Sequence, residues 1–274
     1  MKSVAFGQYY PRESAIHHLD PRAKILMTIL FIVCTFLCKN FLSFLLLALS
    51  AALLTVLSRI PLRMVLRSLR PILMIIAFTS VLNIFFTKGE QLLTPEHWGI
   101  KIYAEGIWNA IFMVIRIASL IIGTSIFLTY TTTPIALTDA IESLLSPLKK
   151  LRIPVHDFAM MMTITLRFIP TLTEETERIM NAQRARGVDF SSGTLVKRAR
   201  ALIPILVPLL ISAINRAIEL ASAMECRCYH GGEGRTRLKV LHFSFKDLLA
   251  IFAIVAFGAI ILLLNRSGVV FTMK

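Results

Sequence analysis

Five stretches of this chain carry no charged residue, and they decide what it can fold into. Ile25–Cys38 and Phe41–Ser58 are parted only by Lys39-Asn40, Pro71–Thr87 follows, and Ile117–Thr138 and Leu248–Leu264 complete the set. A helical crossing of the hydrocarbon core needs roughly 17–25 mostly apolar residues. The first run reaches that length only with Ala23 and the aliphatic stem of Lys24, whose ammonium is expected to snorkel toward water. Read as one helix, residues 25–58 would extend about 51 Å, too long for one crossing. A tight hairpin at Lys39-Asn40 is therefore expected. Apolar residues make up 56% of the 274 positions and charged ones 17%, against about 25% charged in a soluble domain. The expectation is an all-α polytopic membrane protein of about five transmembrane helices: 24–38, 41–58, 71–87, 111–133 and one within 248–274.

The net charge of +14 has a side. Of the 30 Lys and Arg, 24 fall in segments 1–24, 59–70 and 131–247. Arg116 lies among apolar residues, and Lys39, Lys88, Lys101, Arg266 and Lys274 are the remainder. Short basic loops stay in the cytoplasm, which places the N-terminus inside, residues 88–106 outside and the C-terminus outside. Residues 1–20 lack the continuous apolar core of a cleavable signal. The basic balance borders spans and accompanies no nucleic-acid-binding motif, so no nucleic acid is expected as partner. Cys34/Cys38 fall within the first span and Cys226/Cys228 in a basic segment, so no disulfide framework is expected.

Arg59, Arg63, Arg67 and Arg70 fall on one helical face, with Leu62, Val65, Leu66 and Leu69 on the other. This spacing predicts an amphipathic helix over 59–70 lying in the membrane interface. Residues 88–106 read as an external loop, with a possible short strand at 98–103 and a solvated His97. Arg116 has three open readings: a pair with Glu105 or Asp139, a place in the bundle interior, or snorkelling at the outer boundary.

The organisation expected is a transmembrane bundle over 1–130, a cytoplasmic domain of long helices over 131–247, and a last span with its tail over 248–274. Prolines 134, 147, 154 and 170 divide the first half of the middle segment into short pieces. A long helix is expected from about Thr171 to Arg186. Its early Glu174, Glu175 and Glu177 and late Arg184 and Arg186 complement the helix dipole, and Gly187 is its natural terminator. A second helix is expected from near Leu195 to about Cys228, bent at Pro204 and Pro208. Within it Ala213, Ala217 and Ala221 form a small-residue stripe suited to a close helix crossing. Ala201–Asn215 is apolar but too short for a crossing, so it is expected at the inner interface.

Both long helices end in an arginine beside small residues: Ala182-Gln183-Arg184-Ala185-Arg186-Gly187 and Ala223-Met224-Glu225-Cys226-Arg227-Cys228. With Leu19-Asp20-Pro21-Arg22-Ala23-Lys24 and Leu166-Arg167-Phe168-Ile169-Pro170, these segments make the chain resemble the transmembrane T components of energy-coupling factor (ECF) transporters, which take up vitamins and metal ions. The resemblance covers nearly the whole chain, least at 88–106. It implies a scaffold joining a membrane-embedded, substrate-capturing S component to two cytoplasmic ABC-type ATPase subunits. The ATPase-docking residues it implies are Arg186 and Arg227, with Arg184, Ala185, Gly187, Cys226 and Cys228 around them. Guanidinium groups with five donors suit a groove of carboxylates and carbonyls. The second motif departs from the pattern: Cys228 stands where glycine is expected and is not expected to reach positive φ, so helix termination would pass to Gly231-Gly232. Met64, Met74, Met160, Met161 and Met162 are candidates for an adaptable S-component-facing surface.

The chain contains no G-x-x-x-x-G-K-[ST] loop, so it must draw on partner subunits for ATP hydrolysis. No cofactor is expected. Cys226-Arg227-Cys228-Tyr229-His230 lacks the spacing and fourth ligand of a metal site. Two rivals remain: a conventional ABC permease subunit with its own translocation path, and an intramembrane enzyme, which would need paired acids or a Ser/Lys pair at span depth.

Overall fold

The computed structural model describes residues 9–87, 103–151, 154–190, 194–231 and 241–266. Its chain falls into two compact units, Gly7–Ala140 with Leu241–Lys274, and Met1–Phe6 with Ile141–Val240.

In the first unit α1 (Pro21–Leu37) starts where Asp20 accepts the Arg22 amide and Pro21 takes the first turn, where no N–H donor is needed. After the turn at 38–40, α2 spans Phe41–Ser58, and Arg59 ends it at φ 54. The expected break at Lys39-Asn40 is present, but α1 and α2 do not pack along one another as a tight hairpin would. The turn and the far end of α9 (Phe245–Arg266) answer each other's free carbonyls: Asn265 donates to Leu37 O at 2.6 Å, and Asn40 donates to Leu264 O at 3.0 Å. The amphipathic α3 (Leu62–Leu69) follows, with Pro71 in the break before α4 (Leu73–Phe86), and the two helices are bent 60° apart. α5 (Ala104–Thr124) continues as a π-helical turn over Ser125–Tyr130. It begins seven residues before the expected span at 111, because Ala104-Glu105-Gly106 already wind into helix. The expected strand at 98–103 and His97 lie outside the described residues, apart from Tyr103, which precedes α5.

α1 packs against α5, its π turn and α9. Phe31 and Phe127 meet edge to face, Phe44 stacks on Phe112 at 4.7 Å, and Cys34 and Cys38 are buried free thiols in the same core. Gly123 is required by this packing, since a Cβ there would overlap the Phe31 ring. Arg116 turns inward: its Nη2 donates to the Cys38 carbonyl at 2.8 Å and its guanidinium lies 5.2 Å from the Phe44 ring centroid. Outward faces expose Leu49, Val56, Phe86 and Phe252, which lipid accommodates and water would penalise.

Lys24 does not snorkel. It is 1% exposed, and its Nζ donates to Thr131 O at 2.8 Å and His17 O at 3.2 Å. Carbonyls from two neighbouring segments take the place of water around the ammonium.

The second unit contains the end of α6 (Pro134–Leu144), a 3-10 turn (Ser146–Leu151), α7 (Val155–Ala185) and α8 (Leu195–Glu225). Pro134, Pro147 and Pro154 mark element boundaries as expected, but α7 overturns the division at Pro170. It starts at Val155 and runs unbroken through Pro170 for 31 residues. Threonine hydroxyls along it donate back to carbonyls four residues earlier, as Thr173 does to Ile169 O at 2.8 Å. Glu174, Glu175 and Glu177 therefore sit mid-helix, and Asp157 is the acid of the first turn.

α8 is also one 31-residue helix, and it contains Pro204 and Pro208. The stretch Ala201–Asn215, too short to cross by itself, lies inside this longer helix. Among the described residues, four helices have the length and composition for a crossing: α2, Ala104–Tyr130, Val196–Glu225 and α9. The bent α3–α4 pair raises the number to five. α1, with 17 residues, stands at the lower limit. The chain is an all-α polytopic membrane protein, with no strand among the described residues.

Candidate functional site: two arginine-tipped helix ends

α7 and α8 pack together, and the Glu175 carboxylate meets Arg216 Nη2 at 3.6 Å. Beside that pair an apolar groove of about 360 Å³ is lined by Ile164, Phe168 and Leu172 from α7 and by Ala217, Leu220, Ala221 and Met224 from α8. From the ion pair the lining descends in α7 and ascends in α8, so the helices run antiparallel. The stripe at Ala213, Ala217 and Ala221 faces this groove.

Arg186 and Arg227 each lie 11 residues beyond the ion-paired residue of their own helix. That is about 16 Å at 1.5 Å per residue. Measured along the two helix axes, at most about 33 Å therefore separates the two arginines.

Each end closes with the same hydrogen bonds. After α7, Gly187 N–H donates to Arg184 O at 2.9 Å and Val188 N–H to Gln183 O at 3.1 Å. After α8, Cys228 N–H donates to Glu225 O at 2.9 Å and Tyr229 N–H to Met224 O at 3.1 Å. Both are Schellman closures, in which a residue at positive φ turns the chain so that the last carbonyls are answered. Gly187 has φ 86 and Cys228 has φ 55. The expectation that Cys228 could not adopt positive φ, and that termination would pass to Gly231-Gly232, is overturned. Cys228 takes the left-handed conformation itself, and Gly231, at φ 98, lies beyond an end already formed.

Arg186, Gly187, Arg227, Cys226 and Cys228 are exposed, as are Ala185 and Arg184. A Cβ built on Gly187 meets nothing within 4 Å, so the glycine is required by φ and not by crowding. Arg184 is partly occupied: its guanidinium lies 5.9 Å from the Phe190 ring and it donates to Asn181 Oδ1 at 3.5 Å. His230 places Nδ1 2.9 Å from the Cys228 carbonyl, so the loop after the second end folds back on it.

Two of the five methionines lie in the first unit and three in the second. Met64 packs against the core of the first unit and offers its carbonyl to Tyr130 OH, whereas Met74 is 84% exposed. In the second unit Met160 is half-buried and Met161 and Met162 are exposed. The larger apolar surface of that unit is on α8, where Leu202, Leu206, Leu210, Ile214 and Ile218 are all exposed. The sequence signal for it is the apolar stretch 201–215.

The CbiQ family model, described as cobalt transport protein, matches residues 12–238. Energy-coupling factor transporter transmembrane protein EcfT of Ruminiclostridium cellulolyticum is 50% identical over 266 residues, covering 97% of this chain and 98% of that one. The protein of the same name from Thermosediminibacter oceani is 51% identical over 262 residues, 95% and 98% of the two chains. That of Bacillus subtilis is 45% identical over 265 residues, 97% and 99%. With matches of this extent across both units, the chain belongs to the CbiQ/EcfT family of transmembrane components of energy-coupling factor transporters.

Proposed function

We propose that this chain is the energy-coupling scaffold of such a transporter, passing ATP-driven motion of two cytoplasmic ATPase subunits to a membrane-embedded S component for vitamin or metal-ion uptake. The observation that carries the reading is the pair of equivalent, solvent-facing arginine ends on one antiparallel helix pair. Ends separated by at most about 33 Å along the helix axes suit two partner subunits, one at each end. Each guanidinium enters a groove on its ATPase, and the small flanks Ala185 and Gly187, or Cys226 and Cys228, let the helix end sink. The ATPases bind and hydrolyse the nucleotide. Their closure changes the relative position of the two ends, and α7 and α8 carry that change toward the membrane bundle. The exposed apolar face of α8, with Met161 and Met162, is the surface offered to the S component.

In this reading the N-terminus and residues 131–247 are cytoplasmic and the C-terminus is outside. The α7–α8 pair then lies along the inner interface, which keeps both arginine ends on one side. Removing one partner of a buried charge pair costs roughly 2–5 kcal/mol. Pull-down of co-expressed ATPases by Arg186→Glu plus Arg227→Glu protein should therefore fail, and undiminished recovery would refute docking by these ends.

A second reading is a conventional ABC permease subunit. The observation in its favour is α8, whose Val196–Glu225 segment has the length and composition of a crossing. If α8 crossed the bilayer, Arg227 and Arg186 would face opposite sides. Complex stoichiometry separates the readings: one copy of this chain with two ATPases and a separate small-molecule binder supports the scaffold.

A further inference from the structure

Residues 130–132 carry an unusual share of the polar bonds in the first unit. All three are buried, Tyr130 to 1% exposure. They close the π-helical turn Ser125–Tyr130, of which Tyr130 is the last residue, a rare geometry often found at functional sites. Four bonds from three other segments converge on or beside them. The Tyr130 hydroxyl donates to Met64 O of α3 at 3.1 Å, and the Tyr130 carbonyl accepts the Tyr10 amide at 3.0 Å. The Thr131 carbonyl accepts Lys24 Nζ of α1 at 2.8 Å, and the same ammonium reaches His17 O at 3.2 Å. Thr131 and Thr132 hydroxyls both donate to Phe127 O at 3.0 Å, closing the π turn on itself.

Around the ammonium the acidic neighbours are Asp20 and Asp247. Asp247 is 1% exposed and accepts the Asp20 amide at 2.8 Å and the Ser244 amide at 2.7 Å, so the start of α9 is fixed at the same place. Two residues after Thr132 the chain enters α6 at Pro134, the segment that leads out of the first unit at Ala140.

We infer that residues 130–132 are the joint at which motion arriving along α6 enters the membrane bundle, and that it divides there into two branches. One branch runs through Lys24 to α1, and the other through the Tyr130 hydroxyl to the interfacial helix α3. The inference rests on the scaffold reading and names two positioning residues for it. Neither touches a nucleotide or a substrate. The division follows from chemistry: beside the packing, each branch holds one side-chain donor on a main-chain carbonyl, and each donor can be removed without removing the other.

The test uses the assembled complex with its ATPases in lipid nanodiscs. A fluorescent non-natural residue replaces Leu66 on the exposed face of α3 or, in a separate preparation, Ile29 on the exposed face of α1. Both reporters should change emission on ATP binding. Tyr130→Phe, which removes only the hydroxyl, should reduce the change at position 66 at least about threefold and leave position 29 near its full amplitude. Lys24→Met should do the reverse. ATP hydrolysis should stay within about twofold in both.

If the two variants weaken both reporters equally, the residues act on packing alone and the inference is overturned. It is also overturned if neither variant changes either reporter, or if the parent complex shows no ATP-dependent change. Should Lys24→Met fail to assemble, Tyr130→Phe decides through its selectivity between the two positions. Failure of the scaffold reading shows separately, as ATPases still recovered with Arg186→Glu plus Arg227→Glu protein.

Discussion

Gly187 closes α7 at φ 86 and Cys228 closes α8 at φ 55, and the hydrogen bonds around them match donor for donor. The first end is built from Ala185-Arg186-Gly187, the second from Cys226-Arg227-Cys228. Glycine reaches positive φ without penalty, whereas a residue with a Cβ gives up on the order of 1 kcal/mol to do so. The second end therefore keeps the geometry against a local cost. What the two ends share is the position of an arginine one residue before the left-handed turn, facing solvent. The comparison teaches that arginine presentation, not the identity of its neighbours, is the common feature.

The largest effect that would break this equivalence is on the arginines themselves. Arg186→Ala and Arg227→Ala, tested singly, should each weaken ATPase binding by about 2–5 kcal/mol. Titration of the purified ATPases against each variant measures it, and a cost at only one end would mean that the second is not a docking end.

Next comes the turn residue. Gly187→Val places a β-branched side chain at φ 86 and should lose on the order of 1–2 kcal/mol at the first end. Cys228→Gly should relieve the second end by up to about 1 kcal/mol. Opposite signs in ATPase affinity, about 5–30-fold weaker and up to about fivefold tighter, would sharpen the comparison. Two losses would show that the Cys228 side chain contributes contacts of its own.

The ion pair between the helices should matter less. Glu175 and Arg216 are 3.6 Å apart with side chains 21% and 35% exposed. Glu175→Gln should cost at most about 1 kcal/mol of thermal stability, diminishing with added salt. A larger, salt-independent loss would make this pair the pin of the crossing.

The smallest expected effect is a pH dependence in the N-terminal segment. His17 donates Nε2–H to Tyr10 O (3.0 Å) and bonds Ser14 Oγ through Nδ1 (2.7 Å), and burial lowers its pKa below the ordinary 6.5, helped by the charges of Lys24 and His18 and opposed by hydrogen bonds to the Tyr10 and Tyr130 carbonyls. A histidine with a depressed folded pKa favours the folded state when neutral. Its contribution is complete above about 6.5 and declines as pH falls through that value toward the folded pKa. Melting at pH 7.5 and 5.5 should show a modest loss at the lower pH, and His17→Gln should flatten it.

Much of this architecture was legible in the chain because its signals are local. Uncharged runs marked α2, α4 and the last helix, Lys39-Asn40 marked the break between α1 and α2, and arginines at 59, 63, 67 and 70 marked an amphipathic α3. The misreadings came where distant residues override a local rule. Pro170 predicted a break, but α7, packed against α8, runs through it without one. Lys24 looked like a snorkelling end because Thr131 and Asp247, more than 100 positions away, cannot be seen from its own neighbourhood. Cys228 looked unfit for a left-handed turn on propensity alone, yet the closing bonds to Met224 and Glu225 hold it there. For Arg116 the residues left several partners open, and the structure directs it to the Cys38 carbonyl and the Phe44 ring.

The scaffold account depends most directly on the side of the membrane that holds both arginine ends. Cys226 and Cys228 are exposed beside Arg227, while Cys34 and Cys38 are buried, so the native thiols already report on the second end. Ala185→Cys, placed in the chain with Cys226→Ala and Cys228→Gly, reports on the first. Treated with a membrane-impermeant maleimide, intact cells should leave both ends unlabelled, and permeabilised cells should label both. Labelling of either end in intact cells would contradict the account.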